Sequence, residues 1–161
     1  MRVGVRLGVD VGTVRIGVAR SDAHGMLATP VETIARGSDD RQRLLEIAAE
    51  LAVIEIVVGL PLALSGRETA STDDARGFAD ELAALTEIPV RLVDERLSTV
   101  SANAAIRSSG RTQKQSRPVI DQVAAVIILQ HALDHERAGY SLPGSVVVPP
   151  SSGPTKDPSR E

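Results

Sequence analysis

Near the start of the chain, apolar residues come in short runs broken by glycine or polar positions. Leu7–Val11 and Val14–Ala19 alternate Val, Ile and Ala with Gly, Asp or Arg and meet at Gly12-Thr13, the pattern of two pleated strands joined by a turn. Thr29–Ala35 predicts a third strand, ending before the turn residues Gly37-Ser38-Asp39. The period then changes. From Asp39 to Ala52, Leu44, Leu45, Ile47, Ala48 and Leu51 fall on one helical stripe, with Ser38 or Asp39 as the N-cap. Glu55–Gly59 is a short apolar run of the buried parallel-strand type. A polar loop from Leu60 to Ala70 leads to Ser71-Thr72-Asp73-Asp74, read as a cap for a helix through about Leu85. Val90–Asp94 predicts another buried strand. Ser98 caps a short helix ending near Gly110, and Arg117–Arg137 predicts a final helix, apolar on most faces.

Three strands followed by alternating helices and strands imply an α/β domain, a mixed sheet with helices on both faces. Residues 1–137 form this domain. Residues 138–161 hold five of the nine prolines among Ser and Gly and are expected to be a disordered tail.

Composition narrows the chemistry. The 161 residues include no Cys, so a disulfide scaffold, a thiolate metal site and a cysteine nucleophile are excluded. The longest apolar run, Val123–Leu129, is far short of a bilayer span. Gly4, Arg6, Gly8 and Asp10 interrupt any secretory leader, and a cytoplasmic protein is expected. The net charge of −3 and the presence of just two aromatics, Phe78 and Tyr140, argue at first against a nucleic-acid binder. That average conceals a local excess: Arg96, Arg107, Arg111, Lys114 and Arg117 fall in a stretch without a single acid. Scattered Arg usually marks a solvated face. This stretch, however, has both ends beside candidate site residues, so Arg96, Lys114 and Arg117, with Arg15, are expected to contact backbone phosphates.

Those site residues are acids where acids are costly. Asp10 interrupts an apolar strand, Glu95 follows Asp94 at the end of another, and Asp121 lies in the apolar opening of the last helix. Local explanations exist: a hairpin contact for Asp10, pairing of Asp94-Glu95 with Arg96 or Arg91, and the helix N-terminus for Asp121. Taken together, they are three carboxylates that an open α/β sheet can gather at the C-terminal ends of its parallel strands. An all-oxygen set suits Mg²⁺ or Mn²⁺ rather than zinc, and such ions activate water against phosphodiesters. Thr13 has a turn-forming role or one near a metal. His131 and His135 have helical metal-binding spacing but no evident third ligand.

The segments Arg6-Leu-Gly-Val-Asp-Val-Gly-Thr-Val-Arg-Ile-Gly-Val-Ala19, Val57-Val-Gly-Leu-Pro61, Asp94-Glu-Arg-Leu-Ser-Thr99 and Ile120-Asp-Gln-Val-Ala-Ala-Val-Ile-Ile-Leu129 resemble the YqgF family in the right order. That family is known as Holliday junction resolvases or pre-16S ribosomal RNA nucleases of ribonuclease H-like fold. The resemblance implies a five-stranded sheet with its first three strands antiparallel. It also implies catalytic and metal-holding roles for Asp10, Glu95 and Asp121, and it selects Glu95 over Asp94. Val14 stands where many relatives carry Lys, and the loop 62–70 has no residue-by-residue match. The implied activity is metal-dependent hydrolysis of structured nucleic acid, either maturation of the 16S 5′ end or cleavage of branched DNA, by a monomer or homodimer. Two other readings compete. Asp10-Val-Gly-Thr13 is close to the phosphate loop of actin-like ATP-binding proteins, which need two such domains where this length supplies one. A non-catalytic binding module is the other, and the intact carboxylate set speaks against it.

Overall fold

The computed structural model describes residues 1–96, 113–139 and 144–148, with side chains in the last helix from residue 122 onward. The chain forms β1 (Arg6–Val11), β2 (Arg15–Ser21), β3 (Ala28–Ala35), α1 (Asp40–Glu50), β4 (Glu55–Leu60), α2 (Ala70–Leu85), β5 (Val90–Asp94), α3 (Gln113–Arg137) and β6 (Ser145–Val146). The strands make one mixed sheet in the order β3-β2-β1-β4-β5-β6. The first three are antiparallel, as expected. β1, β4 and β5 run parallel, so their C-terminal ends share one edge.

Among the described residues the sheet has six strands, where five were expected. Ser145 and Val146 pair antiparallel with Leu92 and Arg91 of β5. They come from the segment expected to be tail. Two residues with no apolar periodicity leave no strand signature; what holds them is the edge of β5, seen in the bond from the Val147 amide to the Val90 carbonyl at 2.7 Å. The helix expected over Ser98–Gly110 lies outside the described residues.

Strand alternation divides the core in two. One face buries Leu7, Val9, Ile16, Val18, Ile56 and Val58 against Leu44 and Ile47 of α1 and Phe78, Ala79 and Leu82 of α2. The other buries Ala19, Val57 and Val93 against Ala125, Ile128, Leu129 and Leu133 of α3. Gly8 permits this second layer: a Cβ on it would stand 2.7 Å from Cβ of Leu129 and 3.0 Å from the Ala125 carbonyl.

Helix α2 is capped two residues earlier than its sequence implied, at Thr69 instead of Ser71. The Thr69 hydroxyl accepts from the Thr72 amide and the Thr72 hydroxyl from the Thr69 amide, a reciprocal capping box. The Thr72 hydroxyl also donates to the Pro61 carbonyl, which fastens the end of β4 to the helix start. Asp39 occupies the N-cap position of α1 without a side-chain cap bond.

At the N-terminal end of the parallel strands, Arg6 is 1% exposed and its guanidinium donates to Glu136 at 3.1 Å. Arg2 bridges Glu136 and Glu55, and Arg91 reaches Glu55 at 3.1 Å. This network ties the last turn of α3 to the sheet.

Candidate active site

Asp10 is the fifth residue of β1 and lies opposite Gly17 of β2. Its side chain shares the α3 face with Gly8, because residues two apart in a strand point the same way. Glu95 follows β5 directly, and its amide donates to the Leu60 carbonyl at 3.3 Å. Strand β4 runs between the two acids. At the point where they must meet, β4 carries Gly59, paired with Val93. A Cβ on Gly59 would fall inside contact distance of Oε2 of Glu95 and stand 2.6 Å from Cδ1 of Ile128. The missing side chain is the space the Glu95 carboxyl occupies.

The Glu95 and Asp10 carboxyls hydrogen-bond to each other, so one of them holds a proton. Burial pushes the Glu95 carboxyl up to about 8, with further upward pushes from Asp10 and then Asp94. Oε2 of Glu95 is buried and has no hydrogen-bond partner among the described residues. Two carboxyls in contact, an orphaned buried oxygen and a donor set made of oxygen suit a hard divalent cation, whose charge takes the place of the proton between them. The residues therefore fit Mg²⁺ or Mn²⁺. Among the described residues, no third His, Cys, Asp or Glu joins the pair. Asp121 belongs to α3, one turn before Ala125, which packs on Gly8; its side chain lies outside the described residues.

Asp94 and Glu95, indistinguishable by spacing, have different surroundings. Asp94 is exposed and paired with Arg96, whose Nη2 stands 2.6 Å from Oδ2, and this holds the Asp94 carboxyl below the usual range. Arg96 also donates to the Leu64 carbonyl at 3.4 Å. The expected phosphate contact is therefore, in this state, a tether between the end of β5 and the loop 61–69. Arg15 opens β2 opposite Ala35 and sits on the turn after Asp10. The side chains of Lys114 and Arg117 lie outside the described residues. His131 is exposed on α3 and joins no metal-binding group among the described residues.

Two contributors were not anticipated. Gln122 donates to the Thr33 hydroxyl at 2.8 Å and so pins α3 to β3 at the level of the Gly17–Asp10 pair. Its position beside Asp121 was the available signal. Arg36 donates to the Gly12 carbonyl at 2.8 Å and fixes the turn that follows Asp10. A lone Arg after a strand carries no such signal.

Known proteins resemble this chain in sequence and in fold. The family described as "RuvX: Holliday junction resolvase" matches residues 4–135. A protein of Clavibacter sepedonicus named "Putative pre-16S rRNA nuclease" is 69% identical over 150 residues, covering 91% of this chain and 93% of its own. A protein of the same name from Leifsonia xyli subsp. xyli is 66% identical over 151 residues, covering 92% and 97%. Among solved structures, the fold is similar to Thermus thermophilus RuvC in complex with a Holliday junction substrate, with a TM-score of 0.57 at 16% identity, covering 87% of this chain and 99% of that one. At that identity the likeness speaks to fold alone. The match over residues 4–135 and the closeness of the curated relatives establish that the chain belongs to the RuvX (YqgF) family of Holliday junction resolvases.

Proposed function

We propose that this protein is a divalent-metal-dependent nuclease that hydrolyses phosphodiester bonds in structured nucleic acid, and that it processes the 5′ end of pre-16S ribosomal RNA. The observation that carries the reading is the contact of Glu95 with Asp10 over Gly59, with a buried carboxylate oxygen left unpartnered. The curated relatives' name supports the RNA substrate. The family description favours a second reading, cleavage of four-way DNA junctions.

Asp10 and Glu95 would hold Mg²⁺ or Mn²⁺, with Asp121 as the third carboxylate. The bound ion supplies Lewis-acid stabilisation of charge on the phosphodiester and eases formation of hydroxide from water. The chain's own residues do the rest. Asp10 and Glu95 share a proton, and its departure readies both carboxylates for the cation. Val57, Val93 and Ile128 close the floor beneath them with apolar side chains, which strengthens every charge interaction above. Arg15, Lys114 and Arg117 contact backbone phosphates, and Arg96 joins them by exchanging Asp94 for a phosphate. With few aromatics, recognition is by backbone and shape rather than by stacking. No helix among the described residues is long and apolar enough to cross a membrane. The proposed setting is the cytoplasm, where the protein works as a monomer or homodimer.

The test incubates the protein with a 16S 5′-leader RNA and with a four-way DNA junction, in EDTA, Mg²⁺ or Mn²⁺, beside Asp10→Asn. Cleavage of the leader that needs a divalent ion and is lost in the variant is expected. Cleavage of the junction alone would transfer the function to DNA. If neither substrate is cut, or Asp10→Asn cuts like the parent, the mechanism is wrong.

A further inference from the structure

Arg36 stands at the junction between β3 and α1, yet its guanidinium is spent on three separate parts of the fold, the β1–β2 turn, α1 and α2. Nη1 donates to the Gly12 carbonyl at 2.8 Å and to Oδ2 of Asp74 on α2 at 2.8 Å. Nη2 donates to Oδ1 of Asp74 at 3.0 Å, and Nε lies 3.3 Å from Oδ2 of the buried Asp40 at the start of α1. Cζ lies 5.6 Å from the ring centroid of Phe78 on α2. The Arg36 amide meanwhile donates to the Val14 carbonyl at 2.9 Å. Side chain and main chain thus hold the same turn, Gly12 to Val14, against the α1–α2 layer.

This grip has a consequence for the peptide that follows Gly12. A trans peptide directs its C=O and N–H in opposite directions, and no cis bond occurs among the described residues. With the Gly12 carbonyl drawn toward Arg36, the Thr13 N–H is turned away from the α1–α2 layer. Asp10, two residues before Gly12, and Glu95, which contacts it, lie on the face opposite that layer. The turn cannot relax by twisting at Gly12, where the amide donates to the Arg15 carbonyl at 2.9 Å and a Cβ would stand 2.6 Å from that oxygen.

We propose that Arg36 is a positioning residue for substrate: it fixes the Gly12–Thr13 peptide so that the Thr13 N–H seats a non-bridging phosphate oxygen of the nucleic-acid strand beside the Asp10–Glu95 pair. The proposal rests on the nuclease reading and deepens it. A fixed amide donor suits phosphate because its direction is set before the ligand arrives. It adds no positive charge next to a site that must hold a cation, and it reads no base.

The experiment compares Arg36→Met, Arg36→Lys and Asp74→Asn with the parent. Lysine keeps the charge but cannot reach Gly12, Asp40 and Asp74 together. Asparagine at 74 removes the ionic partner and still accepts from Arg36, so it carries the stability loss without freeing the turn. Binding of a fluorescein-labelled 16S 5′-leader RNA and of a labelled four-way DNA junction is read by anisotropy in EDTA, KM and kcat in Mg²⁺, and Tm for each variant. For the substrate that the parent binds, both Arg36 variants are expected to raise Kd and KM about tenfold with kcat within about threefold, while Asp74→Asn leaves Kd within about twofold. If the Arg36→Met chain does not fold, Arg36→Lys alone decides. Parent-like binding by the Arg36 variants, or an equal loss in Asp74→Asn, overturns the positioning role and leaves the nuclease reading standing. A parent that neither binds nor cuts either substrate overturns both.

Discussion

Glu95 and Asp10 hydrogen-bond to each other although their strands are not neighbours: β4 passes between them, and Gly59 leaves the gap that the Glu95 carboxyl fills. The site depends on a side chain that is absent as much as on the two that are present.

Gly59→Ala tests that dependence. The added methyl meets the Glu95 carboxyl on one side and Ile128 on the other. Overpacking of this kind costs about 1–3 kcal/mol, read by urea denaturation, and cleavage should fall at least about tenfold. Adding Ile128→Val relieves the apolar clash and recovers stability but not activity, since Glu95 stays displaced. Recovery of both would show that Gly59 serves packing alone.

The acid pair stabilises function at the expense of the metal-free fold. The folded-state value of Glu95 lies near 8, above an ordinary 4.5, so the native chain holds a proton that the unfolded chain releases. Its contribution is therefore fully present below about pH 4.5 and declines as pH rises toward 8. In EDTA, Glu95→Gln should melt close to the parent at pH 5 and about 2–4 °C above it at pH 8, while cutting nothing. Mg²⁺ should raise the parent's Tm more at pH 8 than at pH 6 and leave the variant's unchanged.

Glu136 behaves in the opposite sense. Its hydrogen bonds from Arg2, with further help from Arg6, hold the carboxyl near 2 against an ordinary 4.5. The stability this supplies is complete above about pH 4.5 and disappears as pH falls toward 2. Glu136→Gln should cost on the order of 2–3 kcal/mol at pH 7 and converge on the parent near pH 2. A loss that is constant across this range would mean that shape, not charge, is what Glu136 contributes.

Gly8→Ala should displace α3, because the new methyl meets the Ala125 backbone and Cβ of Leu129. A destabilisation of roughly 2 kcal/mol is expected, together with loss of cleavage as the helix bearing Asp121 moves off β1. Leu129→Ala should not rescue it, since the conflicting atoms are backbone and Cβ.

The strand and helix order was legible because each apolar run has the period of the element it forms, and Asp10 stood out as a charge inside such a run. Local chemistry could not separate Glu95 from Asp94. The difference lies across β4: Arg96 takes Asp94, and Asp10 receives Glu95. Nothing local marks Arg36 or Arg6, because their partners are distant in sequence, Gly12 and Asp74 for one and Glu136 for the other. Strand β6 escaped notice for a different reason: two residues have no period, and the edge of β5 supplies the pattern they follow.

That two-residue strand also limits how copies of the chain can associate. Ser145 and Val146 occupy the β5 rim, and on the far rim β3 contains Pro30, which offers no amide hydrogen, beside the register shift between Val18 and Ala19. Among the described residues, neither border of the sheet presents an unbroken ladder of donors to a second molecule. A two-fold assembly on a branched substrate would have to be joined through helices or loops, which leaves the carboxylate edge of each copy open to the nucleic acid.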